Sequence, residues 1–528
     1  MKINKNHLLF FLLSIYFLVG CYLSVTTGIS HDEYHEQLNW EVNLLGIKSF
    51  LSTGNYEILL NYKDRYHGIG FHLISQPIQI LLAKFVSNIN DLSFYGGYLV
   101  SKHVAIFLLF TISGIFFYLV CLKISKNFYF SLISTLIYLF YPYFYGHAQI
   151  NPKDIPFLSF WLINSYILLN ILESFFNDDK IKLSKIIFFS LTTAFLLSIR
   201  ITGIIIFLEY LIGLMILINI KNINLYFFFK KNYLTFLYFL MSCLLFIYIL
   251  NPIFWNDPYE IINSIKYMSK YQQDVCTLTL GNCLKSLNLP SSYSFIWLFF
   301  KLPIIVFLGI LLFPFIEKEI FKNNNNPEFI YYLTFLLTPI IIIIIFIILN
   351  ISLYDEIRHI MFLIPMIFVI FLMNIFVFSK KLFFILCIPV VFFFILENIS
   401  LNPYQYTWLN SFAKTKDIKK NFEIDYWGIS NKRLQKEIVN YSKKNSLDKN
   451  ICVYGDLYVK EFLLNEKFTC FKNYTEVDSI EQRPFFAYKN VRNVKRSNPK
   501  DCELIFNETY NYTFYKKDIS VGTLWFCS

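Results

Sequence analysis

The chain has 528 residues, 56% of them hydrophobic and 20% aromatic against 16% charged, with a net charge of +11. Runs of Phe, Leu and Ile near bilayer length recur along it, which excludes a soluble globular class and marks an integral membrane protein. The positive balance does not point to nucleic acid, because no basic stripe interleaved with aromatics occurs in a soluble segment and the lysines lie between apolar runs. The Asn, Ile, Lys and Phe bias resembles that of an AT-rich genome, so the run Asn323 to Asn326 and the N-x-S/T matches at Asn473, Asn507 and Asn511 carry little weight.

The first apolar run, 8–26, follows a basic n-region but no A-x-A-like cleavage site, and reads as a retained signal-anchor helix. Windows of about 17 to 25 apolar residues predict ten further spans, at 97–121, 128–146, 155–174, 184–199, 202–220, 233–251, 293–316, 330–350, 360–379 and 382–399. Eleven spans put the termini on opposite sides. The loops that fall on the cytoplasmic side carry Lys2, Lys5, Lys123, Lys126, Lys180, Lys182, Lys185, Lys221, Lys230, Lys231, Lys318, Lys322, Lys380 and Lys381. The short loops opposite carry little besides Lys153, Arg200 and Arg358, which is the positive-inside pattern.

The segment Tyr66 to Val86 is apolar enough to be considered a span, but counting it would reverse every later loop. With its histidines and Pro77 it reads as a helix lying in the outer interface. The tail from about Asn402 sets a helical "NKRLQKEIVNYSKKN" before a strand-like "ICVYGDLYV", the pattern of a small α/β unit. The expected fold is therefore an all-α polytopic membrane protein with about eleven spans and an interfacial helix. Residues 1–400 form the membrane domain and 401–528 a small extracytoplasmic α/β domain.

Cys21, Cys121, Cys243 and Cys387 lie in apolar spans, whereas Cys276, Cys283, Cys452, Cys470, Cys502 and Cys527 fall outside. The even outer count fits disulfides in an oxidising compartment. Cys276 with Cys283 is the favoured pair, since both lie in one loop, and pairing among the tail's four stays open. A metal cluster is the competing reading, and no C-x-x-C spacing speaks for it.

Charges at span ends are costly, about 2.5 to 3.5 kcal/mol each at a helix centre, and here they gather on one side. The stretches are "HDEYHE" at 31–36, "GHAQINPKDIPF" at 146–157, "IRITG" at 199–203, "NPIFWNDP" at 251–258 and "LYDEIRH" at 353–359. Asp32 and Glu33, adjacent on a helix, diverge by about 100° and need different roles: one can take a proton from an acceptor hydroxyl while the other orients helix ends or substrate. Ordinary solvated acids are the competing reading. His31 and His35 have the spacing of two metal ligands but lack a third and an H-E-x-x-H order, so an interfacial pair is expected and no metal site is assigned. Arg200 marks a tight outer turn, and a guanidinium there can grip a phosphate bidentately. Arg358 stands similarly, with Asp355 and Glu356 as rival ion-pair partners. Two arginines on one side favour an anionic lipid head group.

In this order, the acidic pair after the first span, "NPKDIPF", the arginine between the fifth and sixth spans and "YDEIRH" resemble the GT-C membrane glycosyltransferases. The likeness is greatest to the bacterial family 39 group related to protein O-mannosyltransferases and aminoarabinose transferases. "NPYQYTWLN" at 402–410 and "FEIDYWG" at 422–428 resemble motifs of one branch, so the similarity runs from about Ser30 to Gly428. The resemblance implies a bundle of membrane helices that transfers a sugar from a polyprenyl-phosphate donor to a lipid, glycan or protein hydroxyl on the outer face of the bacterial inner membrane, usually with inversion. It implies Asp32 as catalytic base or acceptor-orienting acid, Glu33 as its support and Asp154 as a second essential acid. Arg200 and Arg358, with Lys153 less securely, would hold the lipid phosphate. No cofactor is required by it, and a divalent metal stays open. The W-W-D signature of oligosaccharyltransferases is absent, and the tail does not resemble a β-trefoil. The rival class is a transporter or flippase of a lipid-linked anion, for which inverted repeats and midplane helix breaks are expected and no repeat is found. A glycan polymerase or ligase would rest on a long outer loop instead of the acid pair.

Overall fold

The computed structural model describes residues 5–270, 273–322, 326–455, 460–474, 483–490, 498–515 and 517–528. Lys2, Asn323 to Asn325 and the end of the strand-like run, Asp456 to Val459, lie outside them. Among the described residues seven helices are long and apolar enough to cross a membrane, and nine if two sharply bent pairs each count as one span. With the shorter apolar helices Phe128–Phe140 and Leu183–Ile199, these make up the eleven apolar segments of the sequence. The protein is an integral, multi-pass membrane protein.

Two expected spans are broken, and proline accounts for both. The residue ahead of a proline is pushed out of the helical region. Helix Phe128–Phe140 accordingly stops at Tyr141, and Pro142 opens a new helix, Pro142–Ile150, at its first position. The run 293–316 divides before Pro303 into Tyr293–Lys301 and Ile304–Lys322, which meet at 108°.

The first span bends too. Helix Phe11–Thr26 turns by 95° into His31–Thr53, a helix with no pronounced apolar face. Gly28 makes the corner possible, since a Cβ there would lie 3.0 Å from the Ile429 carbonyl oxygen. The segment read as interfacial is the helix Gly70–Asn90. Its inner face buries His72, Ser75, Gln79 and Asn90, while Leu73, Ile80, Leu81 and Phe85 face outward. Polar inside and apolar outside is the inverse of a water-soluble helix, and it suits a helix with lipid around it.

Helix Phe94–Ser125, 32 residues and about 48 Å long, runs through the middle of the bundle, packed by Gly70–Asn90, Phe128–Phe140 and Asp154–Phe176. At the rim, only 11% of the apolar stretch of Leu225–Leu250 is covered by protein. The loop before Tyr293 forms a hairpin, β1 (Cys276–Thr279) and β2 (Asn282–Lys285), closed by a Cys276–Cys283 disulfide.

The chain passes from membrane helices to tail without a break in packing. Leu401, Tyr404, Tyr406, Trp408, Phe422, Ile424, Tyr426, Trp427 and Ile429 belong to the same hydrophobic core as the spans. The α/β unit begins at helix Ser430–Lys444, whose Lys432 donates to the Thr26 carbonyl (2.5 Å) and the Asn90 side chain (2.9 Å). Its five strands are β3 (Cys452–Gly455), β4 (Phe471–Asn473), β5 (Phe485–Asn490), β6 (Glu503–Tyr510) and β7 (Ile519–Cys527), in the order β4-β3-β5-β7-β6. β3 runs parallel to β4 and β5, and β7 runs antiparallel to β5 and β6. Disulfides join Cys452 to Cys470 and Cys502 to Cys527.

Helix Pro142–Ile150 is buried along its whole length, and Gly146 lets it touch the backbone of 405–406, where a Cβ would fall 2.1 Å from the Tyr406 nitrogen. Gly146→Ala is expected to cost more than about 3 kcal/mol, because backbone on both sides cannot yield. Gly54→Ala, at an open helix end with φ 72°, should cost only about 1 to 2 kcal/mol. Thermal unfolding of the two variants in detergent checks the contrast.

Candidate functional site

The polar loops at one end of the bundle meet at Arg358, the first residue of the helical segment that follows the loop 350–357. Its guanidinium contacts Asp355 (3.2 Å), Asp32 (3.2 Å) and, more distantly, Asp154 (3.9 Å), and lies over the rings of Tyr354 (4.9 Å) and Trp427 (4.8 Å). Arg200, between the helices Leu183–Ile199 and Ile206–Ile220, reaches the other oxygen of Asp154 at 2.5 Å. Asp154 is thus clamped by two guanidinium groups and only 3% exposed, whereas Asp32 is 47% exposed. Arg358 places both terminal nitrogens against carboxylates and Arg200 one, and each arginine leaves a buried Nε–H without an acceptor among the described residues. His359 Nδ1 and the Trp427 indole nitrogen are buried without a partner there as well.

Local sequence explains how each group is held. "NPKD" is a helix start: Asn151 Oδ1 accepts from the Lys153 (3.1 Å) and Asp154 (2.9 Å) backbone amides, and Asp154 stands in the first turn of Asp154–Phe176, where the helix dipole favours an acid. The Asn151 amide nitrogen donates to Asp154 Oδ2 (2.8 Å) and lies 2.9 Å from His147 Nδ1. His147 Nδ1 is therefore the acceptor, its proton sits on Nε2, and it donates to the Tyr426 hydroxyl at 3.0 Å. In this way a residue of "DYWG" is tied through His147 and Asn151 to the clamped acid.

In the same motif Asp425 accepts from the Tyr406 hydroxyl and from the Ile429 (2.8 Å) and Ser430 (3.2 Å) amides, which starts the tail helix. Gly428, at φ 70°, leaves room for His31, whose Nε2 would lie 2.5 Å from a Cβ. The "YDEIRH" loop turns sharply, with Asp355 and Glu356 both at positive φ. It is held by the Thr277 hydroxyl, which accepts from the Asp355 amide (2.9 Å), and by a fully buried ion pair between Glu356 and Lys301 (2.6 Å). Burial pushes the Glu356 carboxyl up to about 8, against the pull of Lys301. The hairpin strand that carries Thr277 is itself joined to the tail, since the Glu423 amide donates to the Leu278 carbonyl and the Leu278 amide to the Glu423 carboxylate, each at 2.8 Å.

The adjacent acids part company as the helix geometry requires. Glu33 is fully buried and faces away from Arg358, accepting from the Ser30 amide (2.6 Å) and meeting His103 Nε2 at 3.0 Å. The other nitrogen of His103 donates to the Ser24 carbonyl (2.8 Å), so His103 ties Glu33 to the end of the first helix and braces the corner of the first span. Lys153 also stands apart, held by Glu36 at 2.8 Å. Beside them His35 meets Asp64 (3.1 Å), and His67 lies 3.8 Å from the same carboxylate. Burial pushes the Glu36 carboxyl up, but Lys153 together with His67 and His35 outweighs it and holds the carboxyl below its usual range. Among the described residues no three His, Cys, Asp or Glu side chains converge as a metal-ligand set.

The structure thus gathers Asp32, Asp154, Arg200 and Arg358, and sets Glu33 and Lys153 to one side. Reading from sequence passed over Lys301, His147, Tyr354 and Trp427. Trp427 and His147 lie inside the quoted motifs, but nothing local shows that they meet.

No protein-family model matches the chain, and no curated protein does. Among solved structures, ArnT from Cupriavidus metallidurans in the apo state aligns over 99% of this chain and 98% of its own, with 9% identity and a TM-score of 0.46. The same protein bound to undecaprenyl phosphate aligns over the same shares, with 10% identity and a TM-score of 0.42. Likeness at this level identifies neither activity nor substrate, and the functional reading rests on the side chains themselves.

His67 offers a pH test of the neighbouring cluster. Burial, then Lys153, brings its pKa down to about 4, so the folded state holds it neutral while the unfolded chain takes up a proton near 6.5. Stability should therefore fall as pH drops from 6.5 towards 4. His67→Gln is expected to flatten that slope in melting temperatures measured from pH 7.5 to 4.

Proposed function

We propose that the protein is a GT-C-type glycosyltransferase that moves a sugar from a polyprenyl-phosphate donor to an acceptor hydroxyl at the extracytoplasmic face of a bacterial plasma membrane. One observation carries the reading: two arginines, clamped on a buried Asp154 and each with an unused Nε–H, stand beside a half-exposed acid, Asp32. The sequence resemblance to family 39 and the lysine-poor loops on this side agree with it.

In this reaction the acceptor oxygen forms a bond to the anomeric carbon as the bond from that carbon to the phosphate oxygen breaks, which inverts the configuration. Asp32, the one acid of the cluster with access to solvent, takes the hydroxyl proton. The polyprenyl phosphate leaves with an added negative charge, and Arg200 and Arg358, fixed before the reaction begins, hold it. Asp154 moves no proton in this scheme and keeps the two guanidinium groups in register. Glu33 sets the direction in which the helix carrying Asp32 leaves the first span. Lys153, neutralised by Glu36, shapes the loop and lies outside the phosphate grip.

Asp32→Asn keeps an oxygen for Arg358, and is expected to lower transfer by about 10²- to 10⁴-fold while donor binding changes little. The measurement follows radiolabel from polyprenyl-phosphate sugars into lipid, glycan and protein fractions of membranes. Unchanged transfer would sink the role of Asp32, and no transfer by the wild type from any donor would favour a transporter. Glu33→Gln separates the neighbours: it should lower the melting temperature, with donor KM close to that of the wild type in the protein that stays folded.

A further inference from the structure

The helices Asp154–Phe176, Leu183–Ile199, Ile206–Ile220 and Leu225–Leu250 enclose a cleft at the end of the bundle away from Arg358. Asp154 and Arg200 stand at the cluster ends of the first two helices, and the first is about 34 Å long. Its far end and the loop 177–182 form the mouth of the cleft. An outer chamber of about 600 Å³ opens there, and an inner one of about 260 Å³ adjoins it and shares Phe175, Ile186 and Thr235 as wall. Helix Leu225–Leu250, so little covered by protein, leaves the cleft on the side that meets the bilayer.

The walls are layered. Asp178, Asp179, Lys180 and Lys231 stand at the mouth. The next turns of Leu225–Leu250 bring the Asn232 amide and the Thr235 and Tyr238 hydroxyls, all within about 10 Å of Lys231 along the helix. Deeper still the inner chamber is walled by Leu168, Ile171, Phe189, Phe207 and Phe239, and the hydroxyl of Tyr210 there is paired with that of Thr193 (2.9 Å). Charge, then hydrogen-bonding groups, then hydrocarbon is the order of head group, ester linkages and acyl chain in a glycerophospholipid. A polyprenyl phosphate has no ester layer to match the second step.

The mouth also selects among head groups. Lys231 is paired with Asp178 (2.7 Å), whereas Asp179 and Lys180, adjacent in sequence, form no ion pair among the described residues. Lys180 matches a phosphate, and Asp179 matches a cation carried next to it. A carboxylate only accepts hydrogen bonds, so it favours an ammonium with N–H groups over a trimethylated one. Lys182, Lys185, Lys221 and Lys230 flank the mouth outside its wall, and they attract the phosphate of any phospholipid without telling one head group from another.

We propose that this cleft binds one molecule of phosphatidylethanolamine in the leaflet opposite the arginine cluster, with its phosphate at Lys180, its ammonium at Asp179 and an acyl chain in the inner chamber. The proposal is independent of the transferase reading. Delipidated full-length protein in detergent is incubated with palmitoyl-oleoyl phosphatidylethanolamine, phosphatidylcholine, phosphatidylglycerol or a polyprenyl phosphate, and the lipid retained is counted by native mass spectrometry. One phosphatidylethanolamine should be held per chain, with the other two phospholipids retained about threefold to fivefold less, the size of one exposed ion pair. Asp179→Asn should erase the preference over phosphatidylcholine, and Lys180→Gln should lower retention of all three phospholipids by a similar factor. Thr235→Trp fills the wall common to both chambers and should lower their retention by about tenfold or more. The exposed position of Asp179 keeps the test decisive should the tryptophan variant fail to fold. Equal retention of phosphatidylcholine, stronger retention of phosphatidylglycerol, displacement of phosphatidylethanolamine by the polyprenyl phosphate, an unchanged preference in Asp179→Asn, or chains associated with each other in place of lipid would each overturn the proposal.

Discussion

A guanidinium withdrawn from water must be met by opposite charge, because the loss of hydration costs several kcal/mol per ion. Arg358 is only 6% exposed, and the far-flung segments of this chain converge to satisfy it. The first loop brings Asp32, the loop after the broken third segment brings Asp154, and the residues just ahead of Arg358 supply Asp355 and the Tyr354 ring. The tail closes the other side with Trp427. Acids outnumber cations in this group, with Asp32, Asp154 and Asp355 against Arg200 and Arg358, so a phosphate entering it meets competition for both arginines.

The supports around this centre are also ionic or hydrogen-bonded, and also buried. Lys301 with Glu356 fixes a loop whose two consecutive positive-φ residues would otherwise be disfavoured, and Glu33 with His103 fixes the corner from which Asp32 projects. Breaking either pair would leave a fully buried polar group without its partner, which makes these residues as intolerant of change as the cluster they serve.

Much of the architecture was legible because the bilayer imposes a length on apolar segments and a bias on the loops between them. The polar span ends were legible for the same reason: a charge beside hydrocarbon is conspicuous. Both breaks, at Pro142 and Pro303, carry a local signal in proline's effect on the residue before it, and reading hydropathy alone passes over it. Other features have no local signal. Lys301 lies inside an apparent span and looks like an ordinary terminal lysine until Glu356, 55 positions later, is seen to face it. The different fates of Asp32 and Glu33 follow from helix geometry, but which of them faces the site depends on His103 and Arg358, contacts that only the tertiary fold creates.

The burial of Tyr404, Tyr406, Trp408, Tyr426 and Trp427, together with Tyr510, Tyr512, Ile519 and Val521, in the core of the membrane helices bears on how the protein is made. During synthesis the spans enter the bilayer in order, so Arg358 must wait for Trp427 to emerge and cover it, and Tyr404 for Glu508 to accept its hydroxyl proton at 2.9 Å. The centre of the nascent bundle therefore stays uncovered on its Trp427 side until the residues ahead of the tail domain have folded back onto it. Completion of the site is coupled in this way to the end of biogenesis.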